Sequence, residues 1–169
     1  MKLVNKITAI TVTLLIGFAI NAQAQLLPET GSLGIRANLA GQPSIEVPYM
    51  FNETLSIAPY LGFTIFSDSD DNTNDGSKTF SVGVMPRYYM SEMDMIAIYA
   101  TGNLGISSSS NNNPNSNSVT NFTLGVGYGA EFFISKNFSF STDANLNLRA
   151  GDSQTRIGTA ARVSASIYF

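Results

Sequence analysis

A chain of 169 residues has room for one domain, yet only 12% of it is charged, about half the ~25% usual in soluble globular domains. The absence of cysteine excludes a disulfide framework and thiolate chemistry, and the absence of histidine removes every Ser-His or Cys-His arrangement. A formal net charge of −3 with scattered basic residues offers no basic stripe, so nucleic acid is not an expected partner.

Lys2 and Lys6 precede an apolar run from Ile7 to Ile20, and Ala22-Gln23-Ala24 follows it. A basic start, a short apolar core and a small-residue exit form the anatomy of a secretory signal peptide, expected over residues 1–24 with cleavage before Gln25. A membrane anchor is the weaker alternative, because a helix needs about 20 apolar residues to span a bilayer. No cysteine follows the cleavage site for lipid attachment, and no later run is long enough for a transmembrane helix. The remaining domain, residues 25–169, can therefore enter a membrane only as a closed barrel.

Along that domain, period-two alternation dominates and helical periodicity is nowhere persuasive. Eight strands are expected: Ser32–Ala40, Pro43–Phe51, Leu55–Phe66, Lys78–Met90, Met95–Ser107, Ser118–Ile134, Phe138–Ala150 and Thr155–Phe169. The links after the second, fourth and sixth are two to four residues, whereas Ser67–Ser77 and Ser107–Asn117 are long and polar. Small outer-membrane barrels share this asymmetry of tight periplasmic turns and longer extracellular loops.

The faces of the strands are as informative as their spacing. Phe80, Val82, Val84, Pro86, Tyr88 and Met90 share one side of the fourth strand; Thr79, Ser81, Gly83, Met85, Arg87 and Tyr89 share the other. Within the eight segments Arg36, Glu46, Arg87, Glu131, Asp143, Arg149, Arg156 and Arg162 all fall on the polar face. A soluble barrel or sandwich with its apolar face inward fits the same alternation, but its outer surface would carry ~25–35% charge. Here the polar face is sparsely charged and rich in small residues, as in Asn121, Thr123, Gly125, Gly127 and Gly129. Such residues suit the lumen of an eight-stranded barrel, only just wide enough for side chains. Tyr49, Phe51, Tyr88, Tyr89, Phe132, Phe133, Phe138, Phe140, Tyr168 and Phe169 cluster toward the short turns, where an interfacial girdle belongs. The apolar face is therefore expected to point outward, into lipid.

The final stretch, RVSASIYF, alternates Val163, Ala165, Ile167 and Phe169 with Arg162, Ser164, Ser166 and Tyr168. Closure of a barrel pairs a last strand with the first and leaves it no free edge. The stretch resembles the C-terminal assembly signal of bacterial outer-membrane barrels, in which a terminal aromatic follows alternating apolar positions; Val163, Ala165, Ile167, Tyr168 and Phe169 carry it here. The whole pattern resembles the small eight-stranded outer-membrane barrels typified by OmpX and the membrane domain of OmpA, apart from its lack of tryptophan. That resemblance implies an all-β fold: an eight-stranded antiparallel up-and-down transmembrane β-barrel in a Gram-negative outer membrane. It also implies contacts with outer-membrane lipid and lipopolysaccharide, and with the barrel assembly machinery and periplasmic chaperones during biogenesis. A monomer is expected.

Arg36, Glu46, Arg87, Glu131, Asp143 and Arg162 lie within about 4–7 residues of the short-turn end of their strands, roughly 13–25 Å along them at ~3.3 Å per residue. Three cations and three carboxylates in one layer suggest an internal salt-bridge network that plugs the lumen; a gate that rearranges to conduct is the sharper alternative. Arg149 and Arg156 sit above that layer as mouth cations. Asp68, Asp70, Asn72 and Asn74 place oxygen ligands at alternate positions before Gly76, as in the first half of a calcium loop, but Thr79 occupies the twelfth position where a glutamate is needed. A solvated acidic loop is the better reading, and no metal or other cofactor is expected. Enzymatic outer-membrane barrels lean on histidine, and no carboxylate pair marks a site here, so no enzyme is expected. The expected role is structural or surface-interacting; porin-like or lateral transport of small or apolar solutes is the alternative.

Overall fold

A computed structural model describes residues 27–40, 43–66, 76–111, 118–152 and 155–169. The expected signal peptide and the loop carrying Asp68, Asp70, Asn72 and Asn74 lie outside these residues. The strand segments among them are β1 (Gly34–Ala40), β2 (Ser44–Glu46), β3 (Tyr49–Met50), β4 (Leu55–Phe66), β5 (Ser77–Met93), β6 (Ile96–Asn111), β7 (Val119–Ser135), β8 (Phe138–Gly151) and β9 (Arg156–Tyr168). Consecutive long strands pair antiparallel from β4 to β9, β9 pairs with β1, β1 with β2, and β2 and β3 both pair with β4. The sheet closes on itself as an eight-stranded antiparallel barrel in which β2 and β3 are two halves of one strand.

Pro48 makes that division. It has no N–H to donate to a ladder, and the chain repairs the gap locally: Val47 N donates to Pro59 O at 2.9 Å and Gly34 N donates to Pro48 O at 2.8 Å. The expected second strand, Pro43–Phe51, is thus correct in course and interrupted in pairing.

Two expected boundaries need correction. The fourth strand runs past Met90 to Met93, and the fifth runs past Ser107 to Asn111. Serines at the start of the supposed loop Ser107–Asn117 are paired on both sides: Ser108 opposes Phe80 and Thr120, and Ser109 opposes Thr79 and Val119. Composition suggests a loop because these residues bury nothing apolar. The backbone of a closed sheet needs only partners, and both neighbouring strands supply them.

Tight turns close the opposite end. Asn52 Oδ1 accepts from Thr54 N at 2.9 Å and Leu55 N at 2.7 Å, and Asp94 adopts φ 49°, a left-handed conformation that Asp tolerates. Only residues 94–95 separate β5 from β6, and only 136–137 separate β7 from β8.

The faces follow the alternation. Val126, Tyr128, Ile157 and Phe169 are 62–69% exposed on the outer wall, whereas Arg36, Glu46 and Glu131 are 0% exposed inside. No helix among the described residues is long and apolar enough to cross a membrane. One expectation about the girdle fails. Tyr88, Phe51 and Phe169 face outward, but Tyr89, Phe133 and Tyr168 are buried inside. They alternate in sequence with Tyr88, Phe132 and Phe169, so parity alone sends them inward. There they join Leu27, Met50, Ala97 and Tyr99 in an apolar cluster at the short-turn end, with Leu27 brought in by the segment before β1.

The small lumen residues have a packing reason. A Cβ at Gly129 would sit 2.5 Å from the Tyr99 ring and 2.6 Å from Thr142 O, and one at Gly105 would collide with the Tyr60 hydroxyl. Large rings therefore lie across glycines of neighbouring strands. Gly129→Val should destabilise the barrel by about 1–3 kcal/mol through overpacking. Gly158, where a Cβ meets nothing within 4 Å, should accept Ala within about 0.5 kcal/mol. Urea unfolding in lipid vesicles, followed by the gel mobility of folded and unfolded forms, measures both; equal midpoints would refute the packing account.

Candidate functional site in the barrel lumen

The structure gathers all six charges expected to form a network. Arg36 (β1) and Glu46 (β2) are direct register partners, as are Asp143 (β8) and Arg162 (β9). Arg36 Nη1 donates to Glu46 Oε2 at 3.0 Å, and Arg162 Nε donates to Asp143 Oδ1 at 2.8 Å. The remaining links skip strands. Arg87 (β5) donates through Nη1 to Glu131 Oε2 (β7) at 3.0 Å and reaches Asp143 Oδ2 through Nη2 at 3.5 Å. Arg162 Nη1 stands 3.9 Å from Glu46 Oε1.

These contacts form a circuit of alternating sign: Arg36, Glu46, Arg162, Asp143, Arg87, Glu131. Tyr168 closes it. Its hydroxyl accepts from Arg36 Nη2 at 3.2 Å and donates to Glu131 Oε1 at 2.9 Å. Glu131 also accepts from Tyr89 at 2.7 Å and Ser139 at 2.5 Å. With Arg87 these make four donors, filling the roughly four acceptor positions of a carboxylate. Asp143 further accepts from Tyr99 at 3.2 Å and from Asn145. Arg87 lies 4.3 Å from the Tyr99 ring centroid, within cation–π reach. Arg162 also contacts the Met85 sulfur.

The six charges are legible in the sequence as a polar-face layer, whereas the tyrosine hydroxyls that join them emerge from the structure. The signal was available: Tyr168 shares the parity of Arg162, and Tyr89 that of Arg87. Assigning these rings to a girdle by position along the strand hid it.

Magnitudes explain why the circuit is complete. Removing a charge from water costs several kcal/mol even after relaxation. Two unit charges 3 Å apart recover about 5 kcal/mol at an effective dielectric of ~20. One partner roughly balances the cost, and an isolated charge does not. Net stabilisation is therefore small, while the penalty for breaking a link is large.

Arg149 and Arg156 lie outside the circuit. They are direct register partners across β8 and β9, both exposed, toward the long-link end. In the C-terminal stretch Val163, Ile167 and Phe169 face outward, Ala165 is half-buried on the same side, and Tyr168 is turned into the lumen. Among the described residues no group of three or more acidic, histidine or cysteine side chains is arranged to hold a metal ion.

A closed antiparallel barrel, apolar outside and ionic within, defines a membrane-spanning β-barrel protein. The chain belongs to the outer membrane protein beta-barrel domain family, whose model matches residues 10–169. The N-terminal β-barrel domain of Pseudomonas aeruginosa OprF has a similar fold, at 16% identity and TM-score 0.56 over 83% of this chain and 98% of that one. Neisserial surface protein A (NspA) is similar at 16% identity and TM-score 0.57, over 81% of this chain and 90% of that one. No curated protein matches the chain.

Glu131→Gln keeps the shape and removes the charge that Arg87 faces. It should lower unfolding stability by about 3–5 kcal/mol, the cost of stranding a buried charge. Chemical unfolding of the refolded barrel reads this, and a loss below about 1 kcal/mol would mean that the circuit is not coupled.

Proposed function

We propose that this protein is a structural or surface-interacting barrel of the outer membrane, sealed to solute flow. In this reading residues 1–24 export the chain and are cleaved, and residues 25–169 remain as a monomer in lipid and lipopolysaccharide. Assembly proceeds through the barrel assembly machinery and periplasmic chaperones, with Val163, Ala165, Ile167, Tyr168 and Phe169 as the assembly signal. The protein carries no enzymatic activity.

One observation supports the sealed lumen above all others: six charges from six strand segments are each at most 8% exposed and are all ion-paired with one another. Ion passage would require breaking links that cost several kcal/mol each. The apolar cluster of Leu27, Met50, Tyr89, Phe133 and Tyr168 adds a second barrier at the short-turn end. Both features weigh against porin-like transport.

Planar-bilayer recording of the full-length refolded chain tests this reading. Quiet traces with brief, small events are expected; sustained large openings would overturn the sealed lumen and favour the transport alternative.

A further inference from the structure

On the long-link side of the charge circuit the lumen opens into a cavity of about 130 Å³. That is room for about four waters, or a solute of similar bulk, at ~30 Å³ each. Arg162 lines it from the circuit, and Tyr60, Met85, Asn145, Asn147 and Arg149 line it from the walls.

Two independent features mark it as a binding site. First, three of the residues that line it each carry a buried polar atom with no hydrogen-bond partner: Arg162 Nη2, Asn145 Oδ1 and Asn147 Oδ1. Asn145 gives its Nδ2 to Asp143, so its oxygen is the end left free. Unpaired buried polar groups are costly, and a complementary ligand would recover that cost. Second, the charged residues that line it are cations, with Arg162 held from below by Asp143 at 2.8 Å. No carboxylate appears among the described residues lining the cavity, whereas Arg149 and Arg162 both do. Arg149 directly opposes Arg156, an exposed like-charge pair whose repulsion an anion beside it would relieve. A cation-lined cleft with low-dielectric walls concentrates anions.

The free atoms specify the chemistry. Guanidinium groups require anionic oxygens, and amide oxygens require hydroxyl donors. A bare oxyanion satisfies only the first and a neutral polyol only the second.

We propose that the outer half of the lumen is a blind vestibule that binds a small soluble hydroxylated oxyanion, such as an organic phosphate bearing hydroxyls. Arg162 and Arg149 hold the anion, Asn145 and Asn147 accept its hydroxyls, and Arg156 draws it to the mouth. The circuit below makes the vestibule a dead end, so the ligand is held and not passed. In that respect the inference rests on the sealed lumen; bilayer conductance tests the seal and ligand titration tests the site, so the two fail separately.

The test is titration of the refolded full chain in phosphatidylcholine nanodiscs with glycerol 3-phosphate, read by NMR at the Asn145 and Asn147 side-chain amides. Saturable shifts are expected below about 10 mM, with glycerol and sulfate each at least about tenfold weaker. Arg149→Gln and Arg156→Gln lie outside the charge circuit and should keep the folded gel mobility. Arg149→Gln should weaken binding about tenfold, and Arg156→Gln should chiefly flatten its salt dependence. No saturable shift, equal binding of glycerol or sulfate, or an unchanged Arg149→Gln affinity would overturn the proposal. Loss of glycerol 3-phosphate binding when anionic lipid is added would assign the vestibule to a lipid headgroup and overturn the soluble ligand.

Discussion

An ion sealed inside a barrel must find its counter-ion within the barrel, and this requirement organises the lumen. Each of the three arginines touches two carboxylates or their hydroxyl proxies, and each carboxylate touches at least two donors or cations. The same requirement fixes strand register. Sliding one strand by a single residue would turn Arg36 or Arg162 from the lumen to the outer wall. There a basic side chain costs about 2–4 kcal/mol near the bilayer midplane, in addition to the charges it would leave unpaired inside. The circuit thus penalises misregistration twice, which hydrophobic alternation alone would do only once.

Large and small side chains are reciprocal in this lumen. Tyr99 lies over Gly129 and Tyr60 over Gly83 and Gly105, so a ring from one strand occupies the volume that its neighbours' missing side chains leave. The glycines of β7 therefore belong to the same design as the charges. Tyr99 reaches Asp143 across β7 because Gly129, the residue of β7 paired with both, has no side chain in the way. Packing and electrostatics cannot be assigned to separate residues here.

The parts of this architecture that depend on period two were legible in the sequence. Alternation gave the eight strand courses, the outward apolar face and the inward position of every expected lumen charge. What stayed hidden depends on pairing between strands. Pro48 falls on a strand whose alternation continues through it, so only the ladder reveals the break. Ser108–Ser110 lack any apolar signal, yet adjacent strands hold their backbone. Leu27 precedes the first strand and carries no periodicity at all; only the assembled barrel offers the apolar base it fills.

The barrel's least regular seam is bridged by ionic contacts. β2 has three residues, and its pairing with β1 is confined to Arg36 with Glu46 and Ala37 with Ile45. Consecutive strands from β4 to β9 share a dozen or more register pairs, as β7 and β8 do, and β1 and β9 share six. At this seam Glu46 is approached by two arginines, Arg36 from β1 at 3.0 Å and Arg162 from β9 at 3.9 Å. Side-chain charge thus joins the strands where backbone hydrogen bonds are fewest. The longer of these contacts, with Glu46 Oε1 otherwise unbonded, is the most weakly held link in the circuit. It lies between the short β2 and the vestibule-lining Arg162, so an anion on Arg162 would compete with Glu46 for the same guanidinium. Occupancy of the outer lumen and tightness of the seam would then be coupled through one side chain, with no movement required of the strands.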